Sequence, residues 1–199
     1  MKNFFVIIFI LISYLGNTQD QMYQICPLKV GQTAPEGTIV DESNNQISLS
    51  NLVSQKPTVM IFYRGAWCGY CTMHLRELND IKVDIEALGY QVVGITPDQA
   101  SKLNETVVKT ESEIPVYSDS KLEVIKAFGL NWKLDDSQFE TYKSKYKLDL
   151  EAWSGENHHS LPVPAIFVIK DNVVQFQYVN PNYKIRLKPE TLLAILKTL

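Results

Sequence analysis

The sequence has no run of lysine and arginine long enough to supply the concentrated positive charge that a nucleic acid backbone requires. We therefore expect no nucleic acid partner. Its 199 residues also lack internal repeats, low-complexity tracts and long linkers, which excludes repeat and fibrous architectures. The composition is 45% hydrophobic and 21% charged, with a formal net charge of −3, and this balance is typical of a globular protein. At this length we expect one domain with an N-terminal extension.

The N-terminal extension lacks the apolar length of a membrane span. Its uninterrupted apolar stretch runs from Phe4 to Ile12, whereas a transmembrane helix needs about 20 residues. A charged start and the small residues Gly16 and Thr18 complete the pattern of a secretory signal. We expect a signal peptide at 1–18 and an exported protein, periplasmic or secreted. Membrane contact is expected only through this segment, if it stays uncleaved.

Apolar runs and helical periods alternate along the rest of the chain. The run from Thr58 to Tyr63 is typical of a central strand, and a helical stripe follows it until Gly89. Further strands are predicted at 90–96, 114–117, 165–169 and 173–179, helices at 99–111, 120–129 and 189–199, and a hairpin at 38–49. This order predicts an α/β fold, with a central, mostly parallel sheet, an antiparallel edge, helices on both faces and an N-terminal β-hairpin. Residues 130–160 fit no unit of this sheet and are interpreted as a partly helical insertion.

Two of the three cysteines lie where the predicted central strand ends and the long helix begins. They are Cys68 and Cys71, separated by Gly69 and Tyr70. Unpaired amides at a helix N-terminus favour an anion, so a thiolate there is stabilised and its pKa falls. The spacing also allows both sulfurs to close a small disulfide ring and to reopen it by exchange. We therefore predict a redox-active pair.

Two other roles of this cysteine pair, a zinc site and a structural disulfide, have less support in the sequence. Zinc requires four ligands, and only Cys26, His74 and the adjacent His158 and His159 remain to complete a set. A purely structural disulfide across so short a loop would add little stability. We expect no metal and no bound cofactor.

The cysteine pair lies in a segment that resembles a known family. Residues 62–71, FYRGAWCGYC, are similar to the active-site region of peroxiredoxin-like proteins of the AhpC/TSA family, within the thioredoxin-like superfamily. The resemblance covers residues 28–199, because 28–35 is similar to the opening of that family and 180–184 to its closing segment. It implies a thioredoxin-like fold. It also implies that Pro164 is a cis-proline facing the cysteines.

The segment departs from the peroxiredoxin pattern P-x-x-x-T-x-x-C. When Cys71 is set at the final cysteine, Cys68 takes the place of the threonine and Arg64 takes the place of the proline. The order Trp67-Cys68-Gly69-Tyr70-Cys71 is also similar to a thioredoxin active site. Two chemistries therefore remain open.

The first hypothesis is a peroxidase that reduces hydroperoxides. Cys71 would attack the peroxide, Cys68 would condense with the resulting sulfenic acid, and an external dithiol such as thioredoxin would reduce the disulfide. Arg64 would stabilise the leaving oxyanion, although Arg186 is an alternative for that position. The second hypothesis is thiol-disulfide exchange on protein substrates, in which Cys68 is the nucleophile and Cys71 resolves the mixed disulfide. A third is a non-catalytic binding module.

The remaining candidates are assigned by position. Trp67 either contacts an incoming substrate or packs beneath the loop, and Pro164 is expected to contact substrate. His158 and His159 either move protons near the sulfurs or are ordinary loop histidines. Cys26 is a spectator or a distant partner for the pair. The aromatic residues of the insertion form either a recognition lid or a small core of their own.

Overall fold

The computed structural model describes residues 25–199, so the signal peptide expected at 1–18 lies outside the described residues. The described part contains the strands β1 Thr38–Val40, β2 Gln46–Ser48, β3 Thr58–Phe62, β4 Gln91–Thr96, β5 Val116–Ser118, β6 Asn131–Lys133, β7 Ser160–Pro162, β8 Ala165–Lys170 and β9 Val173–Val179. Its α-helices are α1 Leu49–Gln55, α2 Gly69–Asp80, α3 Lys82–Ala87, α4 Leu103–Thr110, α5 Glu123–Ala127, α6 Asp136–Ser144, α7 Leu150–Ser154 and α8 Pro189–Leu196. No helix in this range is long and apolar enough to cross a membrane.

The strands form a mixed sheet with the order β2-β1-β5-β4-β3-β8-β9. Strand β4 runs parallel to β3 and to β5, while β1 pairs antiparallel with β2 and β5, and β8 pairs antiparallel with β3 and β9. The predicted α/β class and the N-terminal hairpin are confirmed. The sheet is not mostly parallel as expected, because four of its six neighbouring strand pairs are antiparallel and only β3–β4 and β4–β5 are parallel.

Strand β3 is the centre of the fold, and all five of its residues are buried. Successive side chains of a strand point to opposite faces, so β3 contributes to two cores. Met60 and Phe62 belong to the core that also contains residues of α1 and α5, whereas Val59 and Ile61 belong to the core formed with α2, α3, α4 and α8. Helices therefore cover both faces, as predicted.

Helix α2 begins directly after the loop that follows β3. Its buried side chains are Cys71, His74, Leu75 and Leu78, the spacing of one face of an α-helix. The predicted single helix up to Gly89 is wrong, because α2 ends at Asp80 and α3 follows after Ile81. The Asn79 side chain accepts hydrogen bonds from Ser112 and Glu113, which ties the end of α2 to the neighbouring segment.

The predicted insertion contains helices α6 and α7, as expected, and a ribbon of β6 and β7 that the sequence did not indicate. The two three-residue strands pair antiparallel. Asp135 begins α6 with a capping box that includes Gln138. Four buried residues form a separate small core, and these are Leu134, Phe139, Leu150 and Leu161. The insertion therefore has a packed interior of its own.

Candidate active site

Cys68 and Cys71 lie at the N-terminus of α2 and are joined as a disulfide, with their Cα atoms 5.2 Å apart. Cys68 is the residue that precedes the first turn, and its carbonyl accepts the N–H of Cys71 at 2.8 Å. The two residues are 5% and 1% exposed. A bond within one helical turn can form and break without disturbing β3 or the rest of α2. The arrangement suits a pair that cycles between dithiol and disulfide.

Arg186 is the arginine that touches the sulfur. Its Nη2 donates to the Sγ of Cys71 at 3.5 Å. Burial is the main cause that lowers the pKa of Arg186, to about 10, and the charge of Arg64 lowers it further. The guanidinium is still protonated at neutral pH. In the reduced protein, a cation at this position favours the thiolate form of Cys71.

Arg64, expected to stabilise the leaving oxyanion, has different contacts. It is only 6% exposed, and its guanidinium carbon lies 4.0 Å from the ring centre of Tyr183 and 5.1 Å from that of Trp67. Its Nη2 donates to the Tyr142 hydroxyl. The structure thus surrounds Arg64 with aromatic rings and gives the sulfur contact to Arg186.

Trp67 and a buried carboxylate support the loop before the cysteines. Asp98, at the end of β4, is 1% exposed and accepts the N–H of Ala66 at 2.9 Å. Burial raises the pKa of Asp98 to about 7, although hydrogen bonds from Ala66 and Trp67 act against this shift. No sequence motif marks Asp98, and its position after the Thr96-Pro97 strand end is the only signal that could have suggested it.

Gly65 permits the close packing of this loop. Its φ is +142°, and a Cβ at this position would collide with the indole nitrogen of Trp67 and lie 2.7 Å from Oδ1 of Asp98. Few residues other than glycine adopt this backbone conformation. The loop between β3 and α2 therefore depends on the missing side chain.

Pro164 faces a cleft with Cys71, but its predicted cis peptide bond is wrong. No peptide bond in residues 25–199 is cis. At this point Val163 N–H donates to Leu130 O at 2.8 Å and Asn180 N–H donates to Pro164 O at 3.3 Å. Pro164 lines a small cleft beside Cys71, together with Arg186.

The histidines have structural partners. His74 bonds to the carbonyl of Leu187 through Nε2 at 3.0 Å, and burial lowers the pKa of His74 to about 4, so it is neutral. His159 bonds to Glu151 at 2.6 Å, and His158 bonds to the carbonyl of Ser120 at 3.0 Å. Within residues 25–199, no three His, Cys, Asp or Glu side chains gather as metal ligands would.

Cys26 is an exposed free thiol. A cleft of about 320 Å³ lies between the insertion and the loops that carry Arg64, Pro164 and Tyr183, and we call it the insertion cleft. Its lining includes Arg64, Trp132, Tyr142, Tyr146, Pro164 and Tyr183. Pro164 also lines the small cleft at Cys71, so the two clefts share this residue.

A family model matches most of the described chain. The model of the AhpC/TSA family matches residues 30–177. The chain belongs to this family. The putative peroxiredoxin bcp of Haemophilus influenzae is 31% identical to it over 122 residues, covering 61% of this chain and 77% of that protein. Peroxiredoxin Bcp of Escherichia coli is 27% identical with the same coverage.

Solved structures of other proteins share the fold. Peroxidoxin BcpB of Mycobacterium tuberculosis superposes with a TM-score of 0.66 at 21% identity, covering 86% of this chain and 98% of that one. Reduced Prx3 of Vibrio vulnificus, solved with hydrogen peroxide, gives a TM-score of 0.69 at 18% identity, covering 85% and 99%. These likenesses confirm the predicted thioredoxin-like fold.

Proposed function

We propose that this protein is a thiol-dependent peroxidase that reduces hydroperoxides through Cys71 and Cys68. Membership of the AhpC/TSA family and the relatives named peroxiredoxins support this function. The observation that carries the assignment of roles is the contact of 3.5 Å between Arg186 Nη2 and Cys71 Sγ. A cation next to this sulfur supports Cys71 as the thiolate that attacks peroxide.

The first step oxidises Cys71. Its thiolate attacks the terminal oxygen of the hydroperoxide, so an S–O bond forms while the O–O bond breaks. Cys71 becomes a sulfenic acid, and the other oxygen leaves as an alkoxide that takes up a proton and departs as an alcohol, or as water when the substrate is hydrogen peroxide. Arg186 can stabilise the negative charge as it moves from the sulfur to the leaving oxygen.

The second step closes the disulfide. The Cys68 thiol attacks the sulfenic sulfur of Cys71 and gives up its proton, an S–S bond forms as the S–O bond breaks, and the sulfenic hydroxyl takes up that proton and leaves as water. The positions of Cys68 and Cys71 in the structure correspond to this product. An external dithiol, for which a thioredoxin-like protein is our proposal, then reduces the pair by exchange and leaves as a disulfide.

One observation favours thiol-disulfide exchange as a second candidate function. Tyr70, between the cysteines, is 40% exposed and packs edge-on against Tyr183 at 5.8 Å between ring centres. An exposed aromatic residue beside the pair could contact a protein substrate. A relative named thioredoxin-like protein, from Haemophilus influenzae, is 28% identical over 132 residues. In this function Cys68 would be the attacking sulfur.

Stopped-flow oxidation by hydrogen peroxide separates these functions. We would compare the reduced wild-type protein with Cys68→Ser and Cys71→Ser. The peroxidase predicts fast oxidation in Cys68→Ser, with a sulfenic acid trapped on Cys71, and loss of fast oxidation in Cys71→Ser. A wild-type rate no better than that of free cysteine would contradict the peroxidase, and insulin reduction that depends on Cys68 would then support exchange.

We also propose that the protein is exported, to the periplasm or beyond the cell. The apolar stretch from Phe4 to Ile12, followed by Gly16 and Thr18, supports this localisation. Expression of the full chain followed by mass determination of the purified protein tests it. Export predicts a mature chain that starts at Gln19, and an intact Met1 in protein confined to the cytoplasm would contradict it.

A further inference from the structure

The insertion cleft has a composition that the peroxidase steps do not explain. Hydrogen peroxide is far smaller than a cleft of about 320 Å³. Its walls carry four aromatic rings, from Trp132, Tyr142, Tyr146 and Tyr183, and three prolines. Rigid apolar walls of this kind bind an apolar or aromatic body. Hydroxyl and amide groups of α6 line another part of the cleft.

The lining of the insertion cleft carries positive charge only. Arg64 is the single charged residue in its lining, which contains no aspartate or glutamate. Arg64 is 6% exposed, and within residues 25–199 no carboxylate lies close enough to form a salt bridge with it. Its Nε is buried and has no hydrogen-bond partner in the described structure.

A buried guanidinium without an anion is costly. The Tyr183 ring, 4.0 Å away, and the Tyr142 hydroxyl compensate part of that cost. Arg64 and Arg186 also repel each other, and this repulsion lowers the pKa of Arg186. The cleft is therefore electrostatically incomplete, and a ligand carboxylate would supply the missing negative charge to a planar donor that suits it.

We propose that the insertion cleft binds organic hydroperoxides with an aromatic body and a carboxylate, and that Arg64 holds the carboxylate. This inference rests on the proposed peroxidase function. It gives the two arginines separate tasks, because Arg186 contacts the reacting sulfur whereas Arg64 selects the substrate. Pro164, common to the insertion cleft and to the small cleft at Cys71, marks the junction where the hydroperoxide end would pass to the sulfur.

A matched substrate pair tests this selectivity. The acid is 4-(2-hydroperoxypropan-2-yl)benzoate, and the neutral control is its methyl ester. For the reduced wild-type protein we expect the second-order rate of Cys71 oxidation to be about tenfold higher with the acid than with the ester, the effect of one charge-assisted contact. In Arg64→Gln the ratio of the rate with the acid to the rate with the ester should fall to about one. Equal wild-type rates for acid and ester would overturn the proposal.

A matched control variant and a binding measurement complete the test. Lys143→Gln removes an exposed charge from α6 at a residue outside the cleft lining, so the wild-type preference should persist. Binding of the unreactive product alcohol, 4-(2-hydroxypropan-2-yl)benzoate, is followed by NMR on the disulfide form. We expect binding in wild type and in Lys143→Gln, and about tenfold weaker binding in Arg64→Gln. If Arg64→Gln does not fold, Tyr146→Ala replaces it in the test. Tyr146 lines the cleft and is 60% exposed, and we expect Tyr146→Ala to bind the product alcohol more weakly than wild type.

The outcomes separate this inference from the proposed function. Fast oxidation by hydrogen peroxide without an acid preference would refute the carboxylate site and leave the peroxidase intact. Carboxylate binding that depends on Arg64 in a protein that no hydroperoxide oxidises would refute the peroxidase and support the anion site alone. Carboxylate binding that is equally strong in Arg64→Gln would overturn the role of Arg64.

Discussion

Removing the charge of Arg186 should make Cys71 harder to ionise. The guanidinium Nη2 lies 3.5 Å from the sulfur, and at that distance a unit-charge attraction is about 1 kcal/mol in water and about 5 kcal/mol at an effective dielectric constant of 20. Arg186 is only partly buried, so screening by solvent brings the value toward the lower end. We expect about 1 to 2 kcal/mol, which corresponds to a shift of roughly one pH unit.

The assay is the pH dependence of alkylation of Cys71 by iodoacetamide, measured in the Cys68→Ser background. In Arg186→Gln the midpoint should move to higher pH by about one unit, since the thiolate loses its cation. The rate of oxidation by hydrogen peroxide at pH 7 should fall by at least about tenfold. Arg186→Lys keeps the positive charge and should restore part of both effects.

The control for net charge is Arg76→Gln. Arg76 also lies on α2 and is exposed, and its guanidinium donates to the carbonyl of Lys109 rather than to a sulfur. Its removal should leave the alkylation midpoint of Cys71 in place. An unchanged midpoint in Arg186→Gln, or an equal shift in Arg76→Gln, would refute the assignment of Arg186 to the sulfur.

Two predictions concern the loop before the cysteines. Because the pKa of Asp98 is raised to about 7, folding favours its protonated form, so its contribution to stability is greatest below about pH 4 and is lost as the pH rises to about 7. The wild-type protein should therefore lose free energy of unfolding between pH 5 and pH 8. In Asp98→Asn, urea titrations should show this loss to be smaller by roughly 1 to 3 kcal/mol. An unchanged dependence of the unfolding free energy on pH would contradict this prediction. Gly65→Ala should cost about 2 to 4 kcal/mol, since the new Cβ meets Trp67 and Asp98. Gly69→Ala, with open space around its Cβ, is the control, and equal thermal stability of the two variants would refute the packing argument.

The central part of the fold was predictable because local signals and global packing agree there. The apolar run from Thr58 to Tyr63 has no polar alternation, and β3 is buried on both faces as that pattern requires. The cysteine spacing and the following helical stripe placed the redox pair at the start of α2. The short strands β6 and β7 were missed because three residues carry too little periodicity to be recognised.

The contacts of Arg64 and Arg186 depend on the fold and could not be predicted from the sequence. Arg64 is four residues before Cys68 and takes the place of the proline in the peroxiredoxin pattern, while Arg186 is more than a hundred residues after Cys71. The expected role at the leaving oxygen was given to Arg64, with Arg186 as the alternative. The chain reverses that expectation because α2 starts beside the segment that precedes α8, which brings Arg186 to the sulfur. The same limit applies to Asp98, whose burial under the loop depends on how β4 ends against Ala66 and Trp67.

Arg64 ties the insertion to the loop before the redox pair through its contact with Tyr142. Hydrogen peroxide needs only a thiolate and a donor for the leaving oxygen, and Cys71 with Arg186 supplies both. Arg64 is close enough to repel Arg186, so its buried charge disfavours the site unless another interaction compensates it. The insertion provides Tyr142, which accepts a hydrogen bond from Arg64, and the aromatic wall of the cleft. Arg64 is a second cation at this position, and no carboxylate of the described residues pairs with it. Such a cation suits the selection of an anionic substrate, whereas the reduction of hydrogen peroxide alone does not require it.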